Sequence, residues 1–408
     1  MPELVTFDTE TCSTLENSDP WGHGEDEIIV DSFPATAYNV DHSTLLLGVS
    51  TSLERLENAM PQLTQWLSGT NASLVVNVAD SDGNDGNMSI IQDKMMSLGI
   101  EVTLLPNADD AQPNGRRKPD RHGQRHFSIV KQLQRQRGPH HKWFGIIDDD
   151  TFFPSLSAVI TALQKYDPEQ PHYIGGLSED LNTMKMEFGY MAYGGAGIFI
   201  SGPLLDTLLE HFDECVNLEN EGDMIYRECV YRYTYPPVQL TVLPGLHQLD
   251  FRGDASGWYE AGPHPLLSLH HWNSKWFYLY PIHYGYLVSK TCGEPCFLQR
   301  YRFADDAILT NGYSVAQYPG GVDHLELERV EATFMHDAKD PDQWEFSLGR
   351  LRPRLKASEK ISWRLEYAVE EQDGRIRQFY IYRAGNAVFD SERLKQNVTG
   401  VLELEWIK

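Results

Sequence analysis

The chain has 408 residues, and 41% of them are hydrophobic, which is enough apolar material for a sizeable core in two or three domains. Its formal net charge of −25 argues against a nucleic-acid-binding protein, because phosphate would be repelled over most of the surface. The sequence has no long apolar run and no signal-peptide pattern at its start, so it predicts no membrane-spanning segment.

The first half of the chain predicts an α/β sheet. Residues 1–27 are polar and acidic and are predicted to form an N-terminal arm. Apolar strands then alternate with helices: we expect strands at 43–50, 74–80, 101–105 and 143–147, and helices after Thr51-Ser52, at 88–98 and at 122–137. This alternation is typical of a doubly wound, mostly parallel sheet, whose ligands bind beyond the carboxyl ends of the strands.

The second half of the chain changes character twice. Between 151 and 324 the sequence predicts helices at 154–166 and 203–213 and a strand at 173–176. From 325 onward, apolar residues alternate with polar ones at 325–332, 378–382 and 400–406, which predicts an antiparallel β module. The predicted domains are therefore the arm 1–27, an α/β domain 28–324 and a β-rich C-terminal module 325–408.

Cysteines and glycosylation sequons bear on the compartment. Four of the five cysteines could form two short-range disulfides, Cys215–Cys229 and Cys292–Cys296. Free buried thiols are the alternative, and zinc fits less well because the Cys292-x3-Cys296 pair has no second cysteine pair. Three sequons begin at Asn71, Asn87 and Asn397, a number close to chance for this length and thus weak evidence for secretion.

The clearest chemical signal is Asp148-Asp149-Asp150, directly after the apolar strand 143–147. Three adjacent carboxylates in that position are costly unless a cation neutralises them. Alternate residues of an extended segment point the same way, so Asp148 and Asp150 can face one ion while Asp149 faces elsewhere. Oxygen ligands suit Mn²⁺, Mg²⁺ or Ca²⁺. A solvated acidic turn is the structural alternative.

Other polar motifs are less specific when taken alone. His270, in Ser268-Leu269-His270-His271-Trp272, could supply a nitrogen ligand to an ion bound by the aspartates, which would favour Mn²⁺ over Mg²⁺. Gly194-Gly195-Ala196-Gly197 allows close approach of the backbone to a ligand, but a tight packing turn explains it equally well. Asp223 is a generic carboxylate beside a glycine. The Asp80–Gly86 segment lacks the glycine and glutamate of a calcium loop, although Asp80 itself follows a strand.

Read in order, these motifs resemble glycosyltransferase family 31, and in particular the fungal proteins similar to Fringe. The resemblance covers roughly 44–320. The segments that carry it are Leu46-Leu47-Gly48-Val49-Ser50-Thr51 with Arg55, Asn77-Val78-Ala79-Asp80, Lys142–Phe153, Tyr173-Ile174-Gly175-Gly176, Gly194–Ile198, Glu221-Gly222-Asp223-Met224, Ser268-Leu269-His270 and Phe303–Ser314.

The resemblance implies a GT-A fold, which is a Rossmann-like, mostly parallel sheet with flanking helices. It also implies inverting, metal-dependent transfer of a hexose or N-acetylhexosamine from a UDP-sugar to a glycan or glycoprotein hydroxyl, often in a β1,3 linkage. By similarity, Asp148, Asp150 and His270 would form the Mn²⁺ site, with Mg²⁺ possible, and Asp223 would be the catalytic base. Thr51, Arg55, Asp80, Asp149, Gly194 and Gly195 would bind the donor.

Two further expectations follow from the resemblance. Most relatives are type II Golgi membrane proteins, so we expect this protein in the Golgi lumen or elsewhere in the secretory pathway, with any membrane anchor outside this chain. The alternative functions are a non-catalytic carbohydrate-binding protein on a GT-A scaffold and a metal-dependent phosphohydrolase.

Overall fold

The computed structural model describes residues 5–6, 40–81, 84–107, 122–218, 222–273, 279–303, 306–335, 348–384 and 393–407. Its chain divides into two compact units. The α/β unit comprises Tyr38–Asp250 and Leu266–His271. The β unit comprises Phe251–Pro265, the described chain from Trp272 onward, and the short strand β1 (Val5–Thr6). Apart from β1, the predicted arm 1–27 lies outside the described residues.

The α/β unit is a single sheet with helices on its faces. Its strands are β2 (Leu45–Thr51), β3 (Ser73–Val78), β4 (Glu101–Pro106), β5 (Trp143–Ile147), β6 (Tyr173–Gly175), β7 (Ile198–Ser201) and β8 (Leu240–Val242). Its helices are α1 (Leu53–Leu67), α2 (Asp85–Ser97), α3 (His122–Gln136), α4 (Leu156–Leu163), α5 (Gly202–Glu210), α6 (Phe212–Val216) and α7 (Gly222–Tyr233).

The strand order in this sheet is β4-β3-β2-β5-β7-β6-β8. Strands β2 to β5 run parallel, and β7 runs antiparallel to both of its neighbours. Val49 of β2 pairs with Ile147 of β5, and Thr51 pairs with Val78 of β3. Because of this register, three parallel strands end together at one edge, as the sequence predicts for a mostly parallel α/β sheet.

Close packing of α3 on β2 holds this edge rigidly. Phe127, Ile129 and Leu133 of α3 are fully buried, and each such side chain contributes roughly 1.5–3 kcal/mol through burial. A Cβ on Gly48 would lie 2.6 Å from the Ile129 side chain, so α3 reaches the sheet at a point where only glycine leaves room. The helix that carries His126 is thereby fixed against β2, which pairs with β5, the strand that precedes Asp148.

The β unit contains a second, mainly antiparallel sheet with the order β1-β10-β11-β12-β14-β15-β16. The strands of this unit after β1 are β9 (Arg252–Gly253), β10 (Arg300–Arg302), β11 (Ala307–Thr310), β12 (Ser314–Gln317), β13 (Phe334–Met335), β14 (Ile361–Glu370), β15 (Ile376–Arg383) and β16 (Val398–Trp406). Its helices are α8 (Ser256–Tyr259), α9 (Ile282–Gly285) and α10 (Ser289–Cys292). The predicted antiparallel β module is confirmed.

Two details differ from the sequence-based expectation. Residues 325–332 form turns instead of a strand, because the Leu327 and Arg329 amides donate to the carbonyls of Leu325 and Glu326. Leu327 and Val330 are buried from these turns, and the backbone pairing of the segment is an isolated bridge between Glu331 and Arg352. The predicted boundary between 324 and 325 lies inside the β unit, because β12 pairs with β14 in one sheet.

Both short-range disulfides are present. Cys215 of α6 is bonded to Cys229 of α7, and Cys292 is bonded to Cys296, with Cα–Cα distances of 5.7 and 5.8 Å. The structure therefore favours the disulfide alternative over free thiols. Among the described residues, the helices are all too short or too polar to cross a bilayer.

Candidate active site

The ends of β2, β3 and β5 bring the first candidate residues to one edge of the α/β unit. Thr51 is the last residue of β2, Asp80 follows β3 by two residues, and Asp148 follows β5 directly. Asp80 is exposed, and its Oδ1 accepts a hydrogen bond of 3.0 Å from the Leu53 amide at the start of α1. An acidic side chain in that position also interacts favourably with the helix dipole.

Asp149 faces away from its two neighbours. Its carboxylate accepts a hydrogen bond of 2.6 Å from Arg55 Nε, a second bond from the other arm of the same guanidinium, and a bond from the Thr51 hydroxyl. A bidentate contact of this kind fixes both partners more firmly than a single bond. Three of the predicted donor-binding residues thus form one contact group.

His270 lies against the other two aspartates. Its Nε2 is 3.0 Å from Asp150 Oδ1 and 3.4 Å from Asp148 Oδ2, and its Nδ1 is 3.1 Å from the Gln248 carbonyl oxygen. A carbonyl only accepts hydrogen bonds, so Nδ1 carries a proton and Nε2 is directed at two carboxylates. Such a grouping is stable only with positive charge between the ring and the carboxylates, supplied by a proton or a metal ion.

Asp148, Asp150 and His270 stabilise one another's charged forms. Burial disfavours a charged His270 ring, but Asp150 and Asp148 outweigh it and hold the pKa of His270 well above its usual value. Burial alone would raise the pKa of Asp148, yet hydrogen bonds from His126 and His270 keep that pKa well below its ordinary range. The pKa of Asp150 is also lowered, because burial is outweighed by His270. Both carboxylates are therefore anionic near neutral pH and attract cations.

The donor set fits a divalent metal ion. One ligand atom from each of Asp150, His270 and His271 lies within 4.8 Å of the other two. Mixed carboxylate and imidazole ligands suit Mn²⁺ and related ions. The Nδ1–H···O=C bond from His270 to Gln248 is also the kind of outer contact that orients a metal-binding imidazole. Sequence reasoning did not assign His271 a role, although it adjoins His270.

Three chain segments are tied together around this group. Phe152 and Leu269 exchange two backbone hydrogen bonds of 2.8 Å, which fix the segment before His270 beside the aspartates. The Thr151 hydroxyl donates to the Gly195 carbonyl, and the Ser268 hydroxyl donates to the Ala196 carbonyl. The glycine segment (Gly194–Gly197), the aspartates and the histidines thus hold one another in position.

Gly194 and Gly195 lie so close to two candidate site side chains that there is no room for a Cβ at either position. A Cβ on Gly195 would lie 2.1 Å from the His270 ring, and a Cβ on Gly194 would lie 2.6 Å from Asp223 Oδ1. The Gly194 amide also donates a hydrogen bond of 2.7 Å to Asp223 Oδ2. In the described structure these glycines are in contact with the candidate metal ligand and the candidate base.

Asp223 lies in the first turn of α7, and His126 lies between it and Asp148. Its side chain is 22% exposed, and burial, reinforced by Asp148, raises the pKa of Asp223 to about 6 against the opposing effects of His126 and Gly194. Glu221, which precedes this helix in the matched motif, lies outside the described residues.

His126 is a site residue that sequence reasoning missed. Its Nε2 is 3.5 Å from Asp148 Oδ1, and its Nδ1, which is buried without a hydrogen-bond partner, is 3.9 Å from Asp223 Oδ1. Burial opposes a positive charge, but Asp148 and Asp223 raise the pKa of His126. Nothing in the local sequence distinguishes this histidine, because its role depends on where α3 packs.

Comparison with known proteins gives partial matches. The family model described as "Protein of unknown function, DUF604" matches residues 184–283, and no curated protein matches the sequence. Solved structures that are similar to part of the chain include mouse xyloside xylosyltransferase 1, with 12% identity and a TM-score of 0.31 over 49% of this chain and 84% of that chain.

Two further solved structures are also glycosyltransferases by description. The galactosyltransferase LgtC, in complex with donor and acceptor sugar analogues, matches with 11% identity and a TM-score of 0.33 over 48% of this chain and 73% of its own. The glycosyltransferase GlyE from Streptococcus pneumoniae matches with 12% identity and a TM-score of 0.29 over 49% of this chain and 45% of its own.

Proposed function

We propose that this protein is an inverting, metal-dependent glycosyltransferase that moves a hexose or N-acetylhexosamine from a UDP-sugar to a glycan hydroxyl, forming a β1,3 linkage. One observation carries the proposal. A single carboxylate of raised pKa, Asp223, stands apart from the cation-attracting group of Asp148, Asp150 and His270, and the glycine segment contacts both.

The metal-binding group supports departure of the nucleotide. A divalent ion at Asp150 and His270, Mn²⁺ or Mg²⁺, would offset the charge that develops on the UDP diphosphate. Asp148 stays anionic through its contacts with His126 and His270, and so keeps the site attractive to that ion. At the same sheet edge, Thr51, Arg55, Asp80 and Asp149 offer hydroxyl, guanidinium and carboxylate groups to the uridine and ribose.

Asp223 has the properties required of the base. Oδ2 is occupied by the Gly194 amide, so Oδ1 is the oxygen that would accept the proton of the acceptor hydroxyl. A pKa of about 6 leaves the carboxylate ionised at neutral pH while making it a stronger base than an exposed aspartate. One base is enough for an inverting transfer, in which the hydroxyl attacks the sugar on the face opposite the nucleotide.

The proposed compartment is the Golgi lumen or another part of the secretory pathway. Two disulfides in the described structure support an oxidising compartment, because such bonds rarely persist in the cytosol. The further likeness to Fringe-type enzymes rests on the motifs in the sequence.

Turnover of a panel of UDP-sugars tests the proposal. The protein would be incubated with each donor and a mixture of glycan acceptors, with Mn²⁺ or with a chelator. We expect UDP release that depends on both metal and acceptor, together with a new glycan product. UDP release into water without glycan product would indicate a phosphohydrolase, and sugar binding without turnover would indicate a carbohydrate-binding protein. Either result would overturn the proposal.

A further inference from the structure

The imidazole rings of His270 and His271 lie side by side, next to Asp150. Their ring centroids are 3.8 Å apart, with 39° between the ring planes. In an extended segment, successive side chains point to opposite sides. His271 has a φ of 54°, in the left-handed region that non-glycine residues rarely adopt, and this conformation brings its ring to the side of His270. Backbone conformations of this kind cluster at functional sites.

Asp250 holds the His271 ring in that position. Asp250 Oδ1 is 3.1 Å from His271 Nε2, and the Ser178 hydroxyl donates to Oδ2 of the same carboxylate. Since a carboxylate accepts hydrogen bonds, Nε2 of His271 is the protonated nitrogen, and Nδ1 is the basic nitrogen of the neutral ring.

The short segment 248–250 orients both imidazoles. The carbonyl of Gln248 accepts from His270 Nδ1, and the carboxylate of Asp250 accepts from His271 Nε2. Leu249, between them, also has a positive φ of 59°, and its amide donates a hydrogen bond of 2.6 Å to Glu179 Oε2. Leu249 and His271 therefore both have left-handed backbone conformations, and the two segments that carry them together place the two imidazole rings beside Asp150.

We propose that His271 is a second imidazole ligand of the divalent ion, through Nδ1, and that Asp250 is the positioning residue that orients it. The proposal rests on the proposed function, because that function places the ion at Asp150 and His270. One ligand atom from each of Asp150, His270 and His271 already lies within 4.8 Å of the others. Two nitrogen ligands favour Mn²⁺ over Mg²⁺, which prefers oxygen ligands.

Pulsed electron paramagnetic resonance of bound Mn²⁺ tests this ligand set directly, because nitrogen atoms bonded to the ion give resolved couplings. The samples are the unsubstituted protein, His271→Asn, Asp250→Ala and Asp250→Asn, each with Mn²⁺ and UDP. Asparagine tolerates the left-handed backbone of residue 271, so the first variant keeps its local fold. His140→Asn, at an exposed turn before β5, is the matched control. Calorimetric titration with Mn²⁺ gives the affinity of each protein.

We expect two coordinated nitrogens in the unsubstituted protein and the control, and one in His271→Asn. Asp250→Ala should weaken Mn²⁺ binding by about 10- to 100-fold. Asp250→Asn should recover part of that loss, because its amide oxygen still accepts from Nε2. One coordinated nitrogen in the unsubstituted protein, unchanged in His271→Asn, would overturn the assignment of His271 while leaving the proposed function standing. Failure of the unsubstituted protein to bind Mn²⁺ with UDP would overturn both.

Discussion

Aspartates in this site differ in pKa because their surroundings differ. Asp148 receives hydrogen bonds from two histidines, which outweigh burial and hold its pKa low. Asp223 has one backbone donor and a more distant histidine, so burial dominates and raises its pKa to about 6. Carboxylates whose pKa values are pushed apart in one site suit different tasks, which in the proposed function are the binding of a cation by Asp148 and the acceptance of a proton by Asp223.

Replacing Asp223 by asparagine should separate chemistry from binding. Asp223→Asn removes the proton acceptor, and we expect transfer to fall by at least about 10²- to 10⁴-fold. The affinity for UDP with Mn²⁺ should stay nearly unchanged, because Asp223 is not among the candidate metal ligands. Initial rates and calorimetry measure the two effects. Asp213→Asn, at an exposed position, is the control. Near-normal turnover in Asp223→Asn would remove this residue from the role of base.

The pH profile should show an acidic limb. Asp223 accepts a proton only when ionised, so kcat/KM should fall as the pH drops through its pKa, which is about 6 without metal. A bound cation stabilises the ionised form, and would shift the limb to lower pH. The measurement is kcat/KM at saturating Mn²⁺ across the stable range. Activity that rises as the medium becomes more acidic would contradict this role.

The glycine segment before β7 lies directly against the site, and a Cβ on Gly194 or Gly195 would clash with Asp223 or His270. Gly195→Ala would place a methyl group 2.1 Å from the His270 ring, and the ring would have to move away from Asp150. We expect loss of Mn²⁺ affinity and of transfer, both measurable on the purified variant. Gly86→Ala in α2 is the control, because nothing lies within 4 Å of the added carbon. Equal Mn²⁺ affinity in both variants would show that Gly195 does not position His270.

Sequence patterns predicted the elements that depend on local information. The apolar runs at β2, β3, β4 and β5 gave strands within a few residues of those observed, and the alternation at β15 and β16 gave antiparallel strands. Asp148 and Asp150 share a neighbour, His270, whereas Asp149 contacts Arg55, as predicted. The predicted extended backbone is wrong, because a turn closed by the hydrogen bond from the Thr151 amide to the Asp148 carbonyl produces this arrangement.

Tertiary contacts explain what the sequence could not predict. His126 reaches Asp148 and Asp223 only because α3 packs across β2, and Asp250 reaches His271 only because two distant segments meet. Residues 325–332 alternate like a strand but bury their apolar side chains from turns. Hydrophobic periodicity indicates which side chains are buried, but it does not indicate which segments are available for strand pairing.

At the scale of the whole molecule, the β unit depends on a buried charge cluster. Lys360 Nζ lies 2.8 Å from Glu260 Oε2 and 2.7 Å from Glu331 Oε2, and Arg352 also pairs with Glu331. Glu331 is fully buried. Removing one member of such a cluster is costly, because it leaves an opposite charge buried without compensation.

Lys360→Met should destabilise the protein by about 3–5 kcal/mol, because it leaves Glu260 with no counterion among the ion pairs of the described residues. Chemical denaturation measures the change, and Lys356→Met, at an exposed position, should be nearly neutral. A change as small as in the control would show that the cluster contributes little.

The same cluster predicts a pH dependence of stability. The pKa of Glu331 is lowered, because Lys360 and Arg352 outweigh burial. The stabilisation from Glu331 is therefore present above its unfolded pKa and is lost as the pH falls through its lowered folded pKa. Denaturation at a series of acidic pH values should show this loss in the native protein. A free energy of unfolding that stays constant over this acidic range would contradict it.

A crystal structure with Mn²⁺ and UDP would show whether the ion binds between Asp150 and His270. We expect anomalous density for one ion bonded to Asp150 and to Nε2 of His270, with the diphosphate on the same ion and Asp223 open to the acceptor side. An ion bound elsewhere, or density for UDP away from the ends of β2, β3 and β5 with His270 still closed on Asp150, would contradict it.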